Sequence, residues 1–296
     1  MNYSDILEKG ENILADAGID DARGDARLLI EEASGIDYSH LMISMSDEVP
    51  AEVEEKYRGY ISLRKKRIPL QQIVGYTEFM GLRFHVNENV LCPRQDTEVL
   101  VEEVLKDIEV SRDAHDDIPG LADEGPLKVL DLCTGSGCIA ISIARLSDAS
   151  VTASDISEKA LEVAQQNAYD NHANVNFCQG DLYDALPQAD KYDIIVSNPP
   201  YIRSDVIPTL MPEVKDHEPR IALDGSADGL KFYRKIIEKS PDYLNPDGRI
   251  YLEIGYDQGA EVINLIRSCG YEDFHIIKDY SGNDRVIAAT YYETNA

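Results

Sequence analysis

Asp131–Ala140, which reads Asp-Leu-Cys-Thr-Gly-Ser-Gly-Cys-Ile-Ala, is the segment that decides the fold. It follows an apolar strand predicted over Leu127–Leu132 and enters a helix predicted over Cys138–Leu146. Its glycines let the backbone turn sharply and approach a ligand closely. The free amides at the start of the helix can receive a negative group. This order of strand, glycine-rich turn and helix predicts a ligand-binding loop in an α/β sheet.

Strands and helices alternate after this loop. Four further strands and three further helices are predicted: strands Ser150–Ser154, Asn174–Cys178, Tyr192–Ser197 and Arg249–Ile254, and helices after Ser157, over Gly229–Lys239 and over Gly259–Ser268. The tail alternates apolar residues in Phe274–Ile277 and Val286–Ala289. Such alternation predicts an α/β fold with a doubly wound, mostly parallel sheet.

The residues before the loop follow other patterns. Apolar residues at helical spacing predict a small helical bundle over residues 1–74, whose third helix covers Ala51–Lys66. Short alternating segments predict a linking β-hairpin over residues 75–92, and the sheet domain then covers 93–296. Within that domain we expect a helix over 94–106. Asp107–Gly125 is rich in Asp, Glu, Gly and Pro, and we expect a solvated loop without an assigned function.

The composition narrows the class of protein. The chain has 296 residues, 43% of them apolar, which suffices for a sizeable core. No run approaches the roughly 18 apolar residues of a membrane span. Met1–Lys9 lacks both the basic and the apolar regions of a signal peptide. We therefore expect a soluble cytoplasmic protein that does not associate with a membrane.

Charge and metal-binding residue types exclude further classes. The net charge is −27, from 55 acidic and 28 basic residues, which disfavours a polynucleotide substrate and direct nucleic-acid binding. The five cysteines form no C-x-x-C pair, and the six histidines show no metal-ligand spacing. We expect free thiols and no metal.

The glycine loop alone leaves the cofactor open. Gly135-x-Gly137-x-x-Ala140 followed by Asp155 satisfies the dinucleotide fingerprint as well as the loop of S-adenosylmethionine enzymes, and a purely structural turn is also consistent. Asp131 favours S-adenosylmethionine. A carboxylate directly before the glycines would repel a pyrophosphate, but it suits a cationic ammonium and sulfonium.

Two later acids extend the predicted cofactor site. Asp155 ends the second strand, 20 residues after Gly135, where a carboxylate can accept both hydroxyls of a ribose. Asp181 follows the third strand and could accept from an adenine amino group, while Leu182 could cover the ring. Asp181 as an ordinary capping residue is the alternative.

Asn198-Pro199-Pro200-Tyr201 follows the fourth strand and carries the chemistry. The two prolines fix φ and stiffen the chain, so the Asn198 side chain and the Pro199 carbonyl can act as fixed acceptors for a planar NH₂ group. Two acceptors on its N–H bonds orient an amide nitrogen towards a methyl donor by positioning and electrostatics. Tyr201 would pack on the flat face of the amide. A rigid strand-to-loop turn is the structural alternative.

The whole pattern resembles the glutamine-N5 methyltransferases that act on peptide chain release factors. Besides Asn-Pro-Pro-Tyr, three segments carry the resemblance: Pro93–Glu98 (Pro-Arg-Gln-Asp-Thr-Glu), Glu218–Leu230 with its Glu-Pro-Arg-Ile-Ala-Leu start, and Gly282–Val286 (Gly-Asn-Asp-Arg-Val). The similarity runs from about residue 5 to 291. It implies a seven-stranded class I methyltransferase sheet that ends in an antiparallel strand pair.

The resemblance also implies the activity, a protein methylation linked to translation termination. Methyl transfer runs from S-adenosylmethionine to the N5 amide nitrogen of the glutamine in the Gly-Gly-Gln loop of release factors. The helical domain and hairpin would recognise that partner, and we expect a monomer. The cofactor contacts would be Cys133, Thr134, Gly135, Ser136, Gly137, Asp155, Leu182 and Asn198, and the glutamine would be gripped by Asn198, Pro199, Pro200 and Tyr201.

Alternatives and departures remain at this point. Glutamine methylation on a ribosomal protein, N6-adenine methylation of DNA and a non-catalytic cofactor-binding module are the rival functions. Cys133 replaces a glycine usual in the family, which is tolerable if its φ is negative. Gln95-Asp96 stands where Pro-Glu is common, and the acidic Asp107–Gly125 stretch is longer than the usual linker.

Overall fold

The computed structural model describes residues 1–116, 125–187 and 190–292, the side chains of 113–116 excepted. In these ranges each helix is too short or too polar to cross a membrane. The α-helices are α1 Tyr3–Asp16, α2 Ala22–Ser34, α3 Tyr38–Ile43, α4 Ala51–Lys65, α5 Leu70–Val74, α6 Glu98–Asp116, α7 Cys138–Leu146, α8 Glu158–Asp170, α9 Pro212–Lys215, α10 Arg220–Leu223, α11 Lys231–Lys239 and α12 Gly259–Ser268. The strands are β1 Tyr76–Phe79, β2 Leu82–His85, β3 Lys128–Leu132, β4 Ser150–Asp155, β5 Val175–Gln179, β6 Tyr192–Ser197, β7 Leu244–Glu253, β8 Tyr271–Lys278 and β9 Asp284–Tyr291.

The chain divides into two compact units. The helical unit comprises residues 1–76 together with Met211–His217, and the sheet unit comprises 77–210 and 218–296. Met211–His217 was predicted within the sheet domain, so that part of the predicted boundary is wrong. The physical reason is a pair of ion pairs inside the helical unit, in which Arg64 and Arg67 bind Glu213 at 2.8 and 2.7 Å.

The helical unit has its own apolar core. Side chains at helical spacing, among them Leu14, Leu29, Ile30 and Tyr57, are almost completely buried in one cluster. Asp21 caps the start of α2, because its Oδ1 accepts from the Gly24 amide at 2.9 Å.

The sheet of the second unit contains seven strands in the order β5-β4-β3-β6-β7-β9-β8. Strands β3 to β7 pair in parallel, while β9 runs antiparallel to both β7 and β8. The predicted doubly wound, mostly parallel sheet with its terminal antiparallel pair is therefore confirmed. Strand order reverses at β3, so the carboxyl ends of β3, β4 and β6 border the crevice where ligands bind in such sheets.

Alternate residues of each central strand face opposite sides of the sheet. Val129 belongs to the core shared with α6 and α7, whereas its neighbour Leu130 belongs to the core shared with α11 and α12. Because helices cover both faces of the sheet, the sequences of these strands are continuous apolar runs.

The predicted linking hairpin is confirmed as the two-stranded sheet of β1 and β2. The Met80 amide in its turn donates to Glu98 Oε1 at 2.6 Å. The loop predicted over Asp107–Gly125 is wrong for residues 107–116, because α6 continues to Asp116. Ile108 extends the buried face of that helix, a signal that the acidic composition obscured. Residues 117–124 of the predicted loop lie outside the described residues.

Candidate active site

A cavity of about 250 Å³ lies at the carboxyl edge of the sheet, within the sheet unit. Its wall combines residues from the glycine loop, the ends of β4 and β5, and the segment after β6. Of the predicted site residues, the wall includes Cys133, Thr134, Gly135, Ser136, Asp155, Asp181, Leu182, Asn198 and Pro200. The remaining predicted residues, Asp131, Gly137, Pro199 and Tyr201, do not line the cavity.

The glycine loop turns from β3 into α7 through two left-handed glycines, Gly135 (φ 56°) and Gly137 (φ 80°). A Cβ on Gly137 would lie 2.8 Å from Ile141 Cδ1 and 3.1 Å from Ala164 Cβ. Gly137 is therefore required for helix packing, whereas Gly135 faces open space on the cavity side. The glycine spacing thus serves the turn and the packing of α7, and the role of Gly135 in ligand binding stays a prediction.

Asp131 is completely buried at the end of β3. Its Oδ2 accepts from the Thr134 hydroxyl at 2.6 Å, and its Oδ1 has no hydrogen-bond partner among the described residues. Burial raises the pKa of Asp131 to about 7, the Thr134 hydroxyl and the Ala140 backbone amide oppose that rise, and the charge of Asp155 adds to it. A buried acceptor without a partner is costly, and a cationic ammonium group would satisfy it. The residues present therefore fit S-adenosylmethionine.

Cys133 corrects one expectation about the loop. The condition for tolerating a non-glycine residue here, a negative φ, is not met, because Cys133 has φ +62°. The side chain packs against the apolar core below the sheet edge. Burial, with the nearby carboxylates of Asp155 and Asp131, raises the pKa of the thiol far above its usual range, so it is protonated and unreactive at neutral pH.

Asp155 is fixed by the backbone around it. Its Oδ2 accepts from the Gly135 amide and its Oδ1 from the Ser157 amide, both at 2.9 Å. Burial raises its pKa, while these amides oppose the rise. A carboxylate has about four acceptor sites, so Asp155 keeps capacity for hydroxyl groups in the cavity that it lines.

The next two predicted contacts lie at the start of the turn after β5. Asp181 Oδ2 is paired with Lys235 Nζ at 2.8 Å, and both residues line the cavity. Sequence reasoning missed Lys235, which lies on the exposed side of α11 with no motif around it. Leu182 is buried and adopts φ +54°. Non-glycine residues in this conformation cluster at ligand sites, and Leu182 is the second such residue in the cavity wall after Cys133.

Asn198 is positioned from two sides. The preceding Ser197 ends β6 and donates through its buried hydroxyl to the Leu132 carbonyl at 2.6 Å, which ties the two strand ends together. Asn198 Nδ2 then donates to Thr97 Oγ1 at 3.4 Å. Asn198 and Thr97 both line the cavity. Thr97 was predicted only as part of a family segment, without a role.

The backbone of Tyr201 lies in a cradle built from the Glu218–Leu230 segment. A Cβ on Gly225 would lie 2.8 Å from both Cα and C of Tyr201. The Tyr201 carbonyl accepts from Gln258 Nε2 at 3.0 Å, and Ile202 forms an isolated parallel bridge with Asp224. The rigidity expected from the two prolines is therefore reinforced by packing that sequence reasoning did not find.

The family segments meet around this tetrapeptide. Arg94 Nη2 contacts both oxygens of the buried Glu218 carboxylate, at 2.7 and 2.9 Å. Asp96, one of the two positions that depart from the family, lies 3.3 Å from Arg285. The Tyr201 hydroxyl donates to Glu253 at 3.3 Å. Glu253 was missed, although a lone acid in the apolar run Arg249–Ile254 is a readable signal of a special environment.

Comparisons with known proteins agree with this geometry. Residues 5–75 match the family model described as PrmC N-terminal domain, and residues 119–211 match the model described as methyltransferase small domain. The release factor glutamine methyltransferase of Fusobacterium nucleatum subsp. nucleatum is 41% identical over 96% of this chain and 78% of its own length. The protein of the same description from Clostridium acetobutylicum is 40% identical over 98% of both chains.

A solved structure supports the fold. A methyltransferase from Pyrococcus furiosus is 20% identical and superimposes with a TM-score of 0.50, covering 78% of this chain and 99% of its own. That likeness concerns the fold alone. The assignment to a family rests on the two release factor glutamine methyltransferases, because their similarity extends over nearly the whole chain. The chain therefore belongs to the release factor glutamine methyltransferase family.

Proposed function

We propose that this protein transfers a methyl group from S-adenosylmethionine to the side-chain amide nitrogen of the glutamine in the Gly-Gly-Gln loop of peptide chain release factors. One observation carries the proposal. Asn198, the predicted acceptor for a planar NH₂ group, lines the same cavity as the glycine loop and Asp155. Family membership supports the same substrate class. Action in the cytoplasm as a monomer is part of this proposal.

The cofactor would be held by residues of this cavity. When bound, S-adenosylmethionine supplies an electrophilic methyl group carried on a sulfonium. Asp155 and Leu182 line the cavity and suit its ribose hydroxyls and its adenine. Asp131 is buried outside the cavity wall, and its Oδ1, which has no hydrogen-bond partner among the described residues, suits the ammonium group. Asp181 is already paired with Lys235, so an adenine amino group would share that carboxylate with the lysine.

The acceptor amide would be gripped by Asn198 and Pro199. An amide nitrogen is a poor nucleophile because its lone pair is delocalised into the carbonyl group. Asn198 Oδ1 and the Pro199 carbonyl would accept its two N–H bonds, raise the electron density on nitrogen and fix its direction. Catalysis of this kind is positioning and electrostatic stabilisation. After transfer the cationic nitrogen is acidic enough to lose a proton without a dedicated base.

Labelled cofactor tests the proposal on three separate substrates: a release factor, a ribosomal protein and DNA. We expect label on the release factor, at the glutamine of its Gly-Gly-Gln loop. The charge of −27 opposes DNA as a substrate. Label on DNA alone would overturn the proposal, and label on the ribosomal protein alone would move it to the sister activity.

The variant Asn198→Ala tests the role of the acceptor. Loss of one preorganised polar group in a catalytic site lowers turnover by on the order of 10²–10³-fold, and we expect cofactor affinity to change far less. Asn176→Ala on the exposed side of β5 is the matched control and should keep normal turnover. Undiminished turnover of Asn198→Ala on release factor would contradict the assignment.

A further inference from the structure

Gln258 uses all the hydrogen-bonding groups of its side-chain amide. It lies at the start of α12, is 9% exposed and does not line the cavity. Its Oε1 accepts from the Gly255 amide at 3.0 Å and from the Tyr233 hydroxyl at 3.4 Å. Its Nε2 donates to the Tyr201 carbonyl at 3.0 Å and to the Gly229 carbonyl at 3.4 Å. A glutamine amide offers two N–H bonds and two lone pairs, so each of the four has a partner.

These partners determine the orientation of the Gln258 amide. The backbone carbonyls of Tyr201 and Gly229 can only accept, so they need the NH₂ end of the side chain. The backbone amide of Gly255 can only donate, so it needs the oxygen. An exchange of the two ends would place an oxygen against two carbonyls and leave a buried donor without an acceptor, which is costly. The Tyr201 carbonyl therefore faces a donor in a single arrangement.

The surrounding backbone leaves little room around this amide. A Cβ on Gly229 would lie 2.6 Å from Gln258 Nε2 and would overlap the Tyr201 carbonyl oxygen. A Cβ on Gly255 would lie 2.8 Å from Gln258 Oε1. Because both positions are glycines, the backbone can approach both ends of the amide closely. Packing and hydrogen bonds thus hold the Gln258 side chain in the same place.

Tyr201 is the last residue of the tetrapeptide that would bind the substrate amide. Before the tetrapeptide, the Ser197 hydroxyl donates to the Leu132 carbonyl at 2.6 Å and fixes the end of β6. Pro199 and Pro200 have fixed φ angles and no N–H group. A stiff segment that is held at both ends has little freedom to rotate, so the hydrogen bond to the Tyr201 carbonyl also restricts the Pro199 carbonyl.

We propose that Gln258 is a positioning residue for methyl transfer, which holds the Tyr201 carbonyl and thereby fixes the direction of the two acceptors in the tetrapeptide. It acts through the backbone and does not contact the substrate. The proposal rests on the proposed function, because the same two acceptors would bind the glutamine nitrogen. A displacement of about 1 Å in such a site can lower the rate by on the order of 10²-fold.

Gln258→Glu retains the shape of the side chain and makes its effect depend on pH. The ionised carboxylate would turn an oxygen towards the Tyr201 carbonyl and repel it, whereas the protonated acid can donate one hydrogen bond to that carbonyl. With saturating cofactor and release factor, the ratio of variant to wild-type kcat should be about 0.01–0.1 at alkaline pH. It should rise as the pH falls and the new acid is protonated. A ratio that does not change with pH would overturn the proposal.

Two further variants separate the hydrogen bond from other effects of charge and pH. Gln258→Met has a similar length but donates no hydrogen bond, so its kcat ratio should be low at every pH. Gln165→Glu, on the exposed side of α8, adds the same charge and should keep the wild-type kcat. Calorimetry should give cofactor affinities close to that of wild type in all variants, because Gln258 does not line the cavity.

Groups near Gln258 that titrate by themselves are controlled by the same comparison. The titratable and charged side chains around the Gln258 amide are Asp257 beside it, Tyr233 on α11 and, around Tyr233, Tyr201 after β6, Glu253 on β7 and Arg285 on β9. Burial raises the pKa of Glu253 to about 7, so this group titrates within the range of the test. It also titrates in Gln258→Met. Recovery of that variant at acid pH would assign the pH dependence to Glu253 and refute the proposal.

Selective isotope labels give a readout that needs no substrate. Pro199–Pro200 is the single Pro-Pro pair of the sequence, so proline labelled with carbonyl ¹³C and with ¹⁵N gives one directly bonded pair, which reports the Pro199 carbonyl. The sequence has two Tyr-Ile pairs, Tyr201–Ile202 and Tyr60–Ile61. Carbonyl-¹³C tyrosine with ¹⁵N isoleucine therefore reports the Tyr201 carbonyl together with a control in α4.

These resonances separate the inference from the proposed function. In Gln258→Glu without substrate, the carbonyl resonances of Tyr201 and Pro199 should shift together as the new acid titrates, while that of Tyr60 should stay constant. A Pro199 resonance that does not follow the titration contradicts the inference even if release factor is methylated. A wild-type enzyme that methylates no release factor, with both resonances following the titration in the variant, retains the inference and loses the proposed function.

Discussion

The backbone at Cys133 gives a stability prediction with an unusual sign. Cys133 has φ +62°, where a Cβ costs about 1–2 kcal/mol. Both Cys133→Ala and Cys133→Gly remove the sulfur, but only the glycine variant also removes the Cβ. Comparing the two variants therefore isolates the backbone strain from the loss of packing.

The magnitude follows from two opposing contributions. Glycine relieves about 1–2 kcal/mol of strain, and it adds about 0.4–1 kcal/mol of conformational entropy to the unfolded chain. We expect Cys133→Gly to be more stable than Cys133→Ala by roughly 0.5–1 kcal/mol. Cys178 on β5 is the matched control, because it is a half-buried cysteine packed against the same core and has no positive φ. There glycine should be less stable than alanine by about 0.5–1 kcal/mol.

Urea unfolding of the four variants, followed by circular dichroism, measures both differences. The midpoints should rank glycine above alanine at position 133 and alanine above glycine at position 178, with unchanged slopes. In thermal unfolding the two differences together correspond to about 2–8 °C. The same ranking at both positions would refute the inference that Cys133 is strained.

Two further predictions concern groups around the cavity. The pKa of Asp131 is raised to about 7 in the folded protein, so the contribution of Asp131 to stability is present at acid pH and is lost as the pH rises through 7. Asp131→Asn should therefore raise the melting temperature of the cofactor-free protein at pH 8 but not near pH 4. In calorimetry at pH 8 the same variant should bind the cofactor about tenfold or more weakly. Gly225→Ala should lower the free energy of unfolding by about 1–3 kcal/mol and reduce kcat, because the new Cβ would meet the Tyr201 backbone. The control Gly59→Ala in α4, where there is open space and no positive φ, should stabilise the protein by about 0.5–1 kcal/mol. Equal shifts of the melting temperature in the two alanine variants would contradict the close packing of Gly225 on Tyr201.

Local sequence patterns predicted the fold because each pattern corresponds to one packing surface. The apolar runs Leu127–Leu132 and Tyr192–Ser197 are buried on both faces, as central parallel strands must be. The pattern failed over residues 107–116, where acidic residues on the solvent face of α6 hid a buried face that Ile108 continues. It also missed that Met211–His217 packs with the helical unit, since ion pairs between distant segments leave no local signal.

The candidate site was predictable where one continuous segment forms it. The glycine loop and the Asn198–Tyr201 tetrapeptide are short motifs, and their roles as site residues remain predictions. The groups that hold them come from segments far apart in the chain: Thr97, Gly225, Glu253 and Gln258. Nothing in the spacing of these residues relates them, so only the folded chain places them around one tetrapeptide.

The residues proposed to bind the substrate amide are distinct from the residues that position them, and this has a consequence for catalysis. An amide nitrogen activated by two acceptors, without a base, depends on direction more than on charge. The tetrapeptide has little freedom to adjust, because Gly225 packs on the Tyr201 backbone and Gln258 holds its carbonyl. Small displacements of Asn198 therefore change the approach of the amide directly. Substitution of residues that never contact the substrate should then lower kcat almost as strongly as substitution of those that do. The size of the effect on kcat should depend on whether a residue belongs to the hydrogen bonds that position Asn198, and not on its distance from the transferred methyl group.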